Sequence, residues 1–294
     1  MRHTAFAPLL LALCLAGCRE EEPAPARSRW VEVQALVKAK DYDAAYRLLD
    51  AQRVPDRPDP ELLLRLAEVR RLQGEPVQAV LLLREGLAAD PKSRNLIAPL
   101  AGLYMHLGDS SKALEVLDDG RAQGTWDADL ALLRGQALGR LERYDEAWQS
   151  YEEARAGNVK PAVIDYNRAL ILGKRNRHAE AVALLESVVR AEPGWPAARR
   201  ELARAILDGK PAERARVEEA LDLLVGAAAE LPEDWRLHES IGDAWMLLQD
   251  FDAAIAAYTD ALRHGQNPKS VEDRYREAVL RQRERDGATP PAPK

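Results

Sequence analysis

The chain has 294 residues, 47% of them hydrophobic, 31% charged and 5% aromatic, with a formal net charge of −6. That composition suits a helical globular chain with ample material for a core, and a mildly acidic surface matches nucleic-acid phosphates poorly. The only two cysteines, Cys14 and Cys18, lie close to the N-terminus, which excludes a disulfide framework or a cysteine-ligated metal centre in the body of the chain.

The first predicted element is an apolar run. Residues 1–8 carry one fixed charge, Arg2, and residues 9–16 (LLLALCLA) are too few to span a bilayer but have the length of a signal-peptide hydrophobic region. The run ends in Leu15-Ala16-Gly17-Cys18, which resembles a bacterial lipobox. The resemblance implies a lipoprotein signal peptide over 1–17 and lipidation at Cys18. The alternative is an ordinary signal peptide in which Cys18 is incidental. Several acyl chains together anchor a protein stably without a transmembrane helix. By similarity to Gram-negative sorting, an aspartate after the lipidated cysteine favours the inner membrane. Arg19 stands there instead, which implies the outer membrane, facing the periplasm. Residues 18–29, charged and proline-containing, read as the lipidated cysteine followed by a disordered tether.

From Trp30 to Pro268 one pattern recurs. Ala45, Ala79, Ala113, Ala147 and Ala181 are each 34 residues apart; Ala220 follows after 39 and Ala254 after another 34. The spacing divides the chain into units 26–59, 60–93, 94–127, 128–161, 162–195, 196–234 and 235–268, each a helix A, a short turn and a helix B. Gly74, Gly108 and Asn176 mark turns between the two helices, and Pro91, Pro193 and Pro232 close units. One slot on helix A is small (Ala67, Ala101, Gly135, Ala169, Ala203, Gly242) and one on helix B is bulky (Leu49, Leu83, Leu117, Tyr151, Leu185, Leu224, Tyr258). Residues 235–268 show the pattern most fully. Ile241, Gly242 and Trp245 sit on the first helix, and Phe251, Ala254, Tyr258 and Ala261 on the second. The turn falls at Gln249-Asp250, with Gly242 expected to face Ala254.

These units resemble tetratricopeptide (TPR) repeats. The resemblance implies an all-α fold: a superhelical solenoid of about seven helix-turn-helix repeats over 30–268, with a capping helix over 269–286 and a disordered tail over 287–294. The first repeat is degenerate, with Trp30, Val33 and Leu36 as its helix A. Arg134 and Arg168 occupy a slot that elsewhere holds Leu66, Leu100, Leu202 or Ile241. Asp165 is a candidate partner for Arg168, but the favoured reading is that the aliphatic stems pack while the guanidinium heads reach water. Five extra residues fall in 208–217, where Gly209 and Pro211 should make a longer turn.

No catalytic constellation is visible. There is no GxGxxG, P-loop, GxSxG or HExxH; His3, His106, His178, His238 and His264 are scattered, and the carboxylates recur at helical spacing as on a solvated face. The expectation is a non-enzyme with no metal and no cofactor. By position in TPR repeats, a concave partner-binding groove would be lined by Met105, His106, Leu132, Gln136 and Arg140, then Tyr166, Leu170 and Lys174, then Arg200 and Arg204. An apolar middle with a basic border suits an extended segment or helix bearing carboxylates. The Lys/Asn clamp of chaperone-binding TPR domains is not reproduced. The expected function is a membrane-anchored scaffold that binds envelope proteins and supports assembly of a pilus or export machine. Its plan resembles that of pilotin-type lipoproteins. The alternative is an adaptor that recruits a cell-wall hydrolase or protease.

Overall fold

A computed structural model describes residues 24–54, 56–209, 213–265 and 269–287. The signal segment, Cys18 and the residues up to Pro23 lie outside the described residues, as do residues 210–212 of the insertion and 288–294 of the tail. The described residues form fifteen helices and no strand beyond one isolated bridge, Val54 to Arg57.

The chain folds as two units, Met1–Val159 and Lys160–Lys294. The first unit holds four helical hairpins: α1 (Ala24–Lys38) with α2 (Tyr42–Asp50), α3 (Pro60–Leu72) with α4 (Pro76–Ala89), α5 (Arg94–His106) with α6 (Ser110–Ala122), and α7 (Ala128–Arg140) with α8 (Tyr144–Arg155). Each helix B packs on the next helix A, and the A helices α3, α5 and α7 touch in succession. In the second unit α9 (Pro161–Lys174) pairs with α10 (His178–Ala191), α11 (Pro196–Asp208) with α12 (Arg214–Glu230), and α13 (Trp235–Leu247) with α14 (Phe251–His264). A single helix, α15 (Lys269–Arg285), packs on α14.

The local chemistry explains the hairpins. Aspartates cap helix N-termini with a side-chain oxygen, as Asp41, Asp59, Asp109, Asp127, Asp234 and Asp250 do for the next turn's N–H groups. Proline opens α3, α4, α9 and α11, where its missing N–H costs nothing. Between A and B one residue takes a left-handed conformation in nearly every repeat: Lys40, Gly74, Gly108, Glu142, Asn176 and Gln249, with φ from 58° to 85°. This residue reverses the chain in a three-residue connection.

Four details depart from the sequence reading. Helix α1 begins at Ala24, inside the stretch read as a tether up to Arg29; proline in the first turn and the alanines and arginines that follow are compatible with helix. The atoms that crowd Gly242 are those of the Tyr258 ring, rather than Ala254 alone. Arg134 does not send its head to water: it donates to Asp118 on α6 at 2.7 Å and to the buried Ser150 hydroxyl on α8 at 2.9 Å. The insertion lengthens a helix as well as a turn, since α12 has 17 residues against 14 in α10 and α14.

Side-chain bonds about one repeat long stitch neighbouring hairpins. In the first unit Arg53 meets Glu85, Arg94 meets Asp127 and Asp129, and Arg121 meets Glu153. In the second unit Lys160 meets Glu192, Arg199 meets Glu230, Arg200 meets Asp234, and Arg285 meets Asp252. Most are exposed and individually weak, so they set register more than they add stability.

Candidate functional site

The ten residues expected to line a groove all lie on A helices, five in each unit. In the first unit the spacing of 34 residues brings like positions of α5 and α7 side by side. Large side chains there are closed over by their neighbours. Met105, Leu132 and Gln136 are only 5%, 4% and 7% exposed, so they belong to the packing between helices and offer no apolar floor. His106 is exposed at the end of α5. Arg140 donates through Nη1 to the Met105 carbonyl at 2.5 Å, capping the C-terminus of α5 from the next repeat. Burial lowers the Arg140 guanidinium from its ordinary value.

What remains open on this unit is a position the groove reading omitted. Gly102 and Ala98 lie one turn apart on α5, only partly buried, and a Cβ placed on Gly102 would meet no atom within 4 Å. The signal was present: Gly102 holds the place taken by Glu68 in the repeat before and Gln136 in the repeat after.

In the second unit Tyr166 lies near Arg200 and Arg204 across α9 and α11. Tyr166 on α9 stacks on Trp195, ring centroids 4.6 Å apart at 32°. Leu170 is half-buried and Lys174 exposed on the same helix. On α11, Arg200 donates to Asp234 at 2.8 Å and to Glu201 at 3.3 Å. Arg204 Nη2 lies 2.6 Å from Glu201 Oε2, an ion pair whose angles fall outside those of a hydrogen bond. Glu201 is 7% exposed, so one buried carboxylate orients two guanidinium groups. Burial pulls Arg200 down, but Glu201 and Asp234 more than offset it and its value is raised. Burial, then the charge of Glu201, pushes the Tyr166 phenol up and keeps it a neutral hydroxyl. Sequence reasoning missed Glu201, Asp234 and Trp195. Glu201 stands where the previous repeat has Asn167, so register marks it as polar but gives no hint of its role.

At the far end of this unit α13 offers Glu239 and Asp243 at the positions of Arg200 and Arg204. Arg274 of α15 reaches both, Ser270 lies 3.5 Å from Glu239, and the Tyr258 hydroxyl donates to Asp243 at 2.8 Å. Burial raises both carboxyls above their ordinary values, against the pull of Arg274. Among the described residues, no group of three or more His, Cys, Asp or Glu could hold a metal ion. No helix among them is long and apolar enough to cross a membrane.

Models of the tetratricopeptide repeat match residues 70–137, and 166–224 with 212–270, together more than half of the chain. A TPR repeat-containing protein of Bacillus subtilis (strain 168), YpiA, is 28% identical over 134 residues; the match covers 46% of this chain and 32% of YpiA. The chain therefore spans about a third of the length of the curated relative it matches. Among solved structures, a tetratricopeptide repeat protein from Parabacteroides merdae ATCC 43184 superposes with a TM-score of 0.71 at 17% identity, covering 86% of this chain and 98% of that one. PilW, described as a widely conserved type IV pilus biogenesis factor, superposes with a TM-score of 0.62 at 19% identity, covering 75% and 98%. At such identities the likeness is one of fold.

Proposed function

The chain belongs to the tetratricopeptide repeat family, and on that premise we propose that it is a lipid-anchored scaffold of the bacterial envelope that holds partner proteins along its A helices. The observation that carries the reading is the A-helix face itself. Its positions keep one backbone geometry while their chemistry changes from repeat to repeat, from Ala98 and Gly102 to Tyr166 and Leu170, Arg200 and Arg204, and Glu239 and Asp243. Within each unit, a helical frame with varied side chains suits recognition of a stretch of a partner. It performs no chemistry of its own.

The anchor rests on the lipobox-like Leu15-Ala16-Gly17-Cys18, and Arg19 favours the outer membrane facing the periplasm. Replacing the cysteine tests it: Cys18→Ser should move the protein from the membrane fraction to the soluble periplasm, and retention on membranes would reject a lipid anchor. Assembly of a pilus or export machine is the role best matched by the plan of signal segment, anchor and repeats, and the fold likeness to PilW is compatible with it. Deleting the gene should abolish surface pili; normal piliation would remove this role. The second reading, an adaptor for a cell-wall hydrolase or protease, predicts that the anchored protein isolated from detergent-solubilised envelopes carries such an enzyme rather than a secretin subunit.

A further inference from the structure

We propose that the cavity under the connection from α2 to α3 seats the headgroup of a zwitterionic phospholipid, with Arg57 on its phosphate, Asp56 on its ammonium and Val54 against the first carbons of its chains. The inference rests on the lipid-anchor reading and adds where the anchored chain meets the bilayer and which headgroup it takes.

A lipid on Cys18 would bring one end of the first unit to the membrane. Helix α1 begins at Ala24, so residues 19–23 are all that separates it from Cys18. That length of chain reaches about 20 Å at full extension. Helix α2 runs back alongside α1 and packs on α3. Early in α3, the Arg65 guanidinium lies over the Trp30 ring of α1, 4.3 Å from its centroid. The start of α1, the end of α2 and the start of α3 therefore share one end of the unit, the end nearest Cys18.

The connection at that end is unlike those that follow. Residues 90–93 and 123–127 join the next hairpins, whereas the longer stretch 51–59 joins the first two. Asp56 takes a left-handed conformation, φ 63°, and the Arg57 N–H donates to the Val54 carbonyl at 3.2 Å, so the chain doubles back. The cavity it borders has a volume of about 360 Å³, within the range of small-ligand sites. Leu62 and the buried Leu63 line it together with Val54, which is 60% exposed.

The charges around the cavity select the ligand. Arg53 is engaged, donating to Glu85 in two hydrogen bonds of 2.7 and 3.0 Å. Asp59 is engaged too, accepting from the Glu61 and Leu62 N–H groups that open α3. Among the described residues, the exposed side chains of Arg57 and Asp56 meet no hydrogen-bonding or ionic partner. A free cation beside a free anion suits a molecule that carries both signs. The guanidinium fork matches phosphate, and the carboxylate matches an ammonium. A plain anion would face Asp56, and a plain cation would face Arg57. An exposed valine beside these charges fits the boundary between headgroups and acyl chains.

The test places a nitroxide on the lipidated protein, through Val54→Cys or, at the opposite end of α1, Lys38→Cys. With Cys14 removed and Cys18 lipidated, the added cysteine is the one free thiol. The labelled protein is reconstituted into vesicles of phosphatidylethanolamine or of phosphatidylglycerol, whose headgroup has no ammonium. Collision with a water-soluble nickel chelate is read by electron paramagnetic resonance. In phosphatidylethanolamine the Val54 label should lose about threefold or more of its collision rate, and the Lys38 label should keep its own. Arg57→Glu should restore access at Val54, and Asp56→Asn, which keeps a residue suited to the turn, should erase the preference for phosphatidylethanolamine. An open Val54 label, equal shielding in the two lipids, or shielding that survives Arg57→Glu overturns the proposal. Flotation with the vesicles separates the two readings. A protein that floats with its Val54 label open keeps its anchor and loses this inference alone, whereas one that does not float loses both.

Discussion

Two tyrosine rings decide what the small slot of helix A can hold. Alanine stands in that slot where helix B brings leucine, as in Ala67 with Leu83 and Ala101 with Leu117. Glycine stands there where helix B brings tyrosine, as in Gly135 with Tyr151 and Gly242 with Tyr258. A Cβ on Gly135 would lie 2.3 Å from the Tyr151 ring, which neither helix can yield without repacking. Gly135→Ala should destabilise the fold by about 1–3 kcal/mol through overpacking. Adding Tyr151→Leu should recover much of the loss in urea unfolding, because the pair then matches the Ala–Leu repeats. Additive losses would show that ring and slot are not coupled. A second prediction belongs to the turn. Glu142 is held at φ 60°, where a side chain is strained and glycine is not. Glu142→Gly should raise stability by about 0.5–1 kcal/mol, the relief of strain exceeding the entropy glycine adds to the unfolded chain. A lower melting midpoint would contradict it. The turns at Gly74 and Gly108 were legible in the sequence, but the glycine–tyrosine contact was not, since the register marks the small and bulky slots without saying which atoms meet and set Gly242 against Ala254. The left-handed Lys40, Glu142 and Gln249 were not, since no local preference marks those residue types for that conformation.

At the scale of the element, the A helices were legible and their surfaces only in part. Period and spacing place Met105, Leu132 and Gln136 on helix A, but whether a side chain there faces solvent depends on its counterpart one repeat away. The same limit hid the partners of Arg134, since Asp118 and Ser150 lie on two different B helices. In the second unit Tyr166 and Arg200 are half-buried and Arg204 exposed, because side chains so large or charged are not closed over fully. Helix α15 continues the register: Val271 and Ala278 are buried 34 residues after Leu237 and Ala244. Arg276 then stands at the position of Gly242, the small slot of the earlier A helices. The hold of α15 on α13 depends on Arg274 against Glu239 and Asp243, and the pH behaviour of that contact has a definite sign. A buried carboxyl raised above its ordinary value binds a proton more tightly folded than unfolded. Its contribution to stability therefore grows as pH falls through its folded value, and levels off below the ordinary aspartate value of 3.8. The stability of the native chain relative to Asp243→Asn should rise between about pH 7 and about pH 4 in urea titrations. A fall would mean that pairing with Arg274 outweighs burial.

At the scale of the whole molecule, the repeat carries the account. Each hairpin leaves an apolar flank that only its neighbour covers, so stability accumulates along each unit rather than in one central core. One-repeat ion pairs such as Arg94 with Asp127 and Arg200 with Asp234 hold the register across each step. The two units present different A-helix chemistry, nearly neutral around Gly102 and aromatic and charged around Tyr166 and Arg204. The repeat was legible from the alanine spacing, because register survives substitution, and the family from the resemblance of the units built on it. The identity of what is held was not, because it depends on side chains that the register leaves free to vary. The most direct measurement places a photo-activatable residue in turn at Gly102 and Arg204 on A helices, and at Leu81 and Val225, exposed on the B helices α4 and α12. Irradiation of intact cells should crosslink the A-helix positions to envelope proteins and leave the B-helix positions bare. Crosslinks confined to Leu81 and Val225 would contradict the claim that partners are held along the A helices.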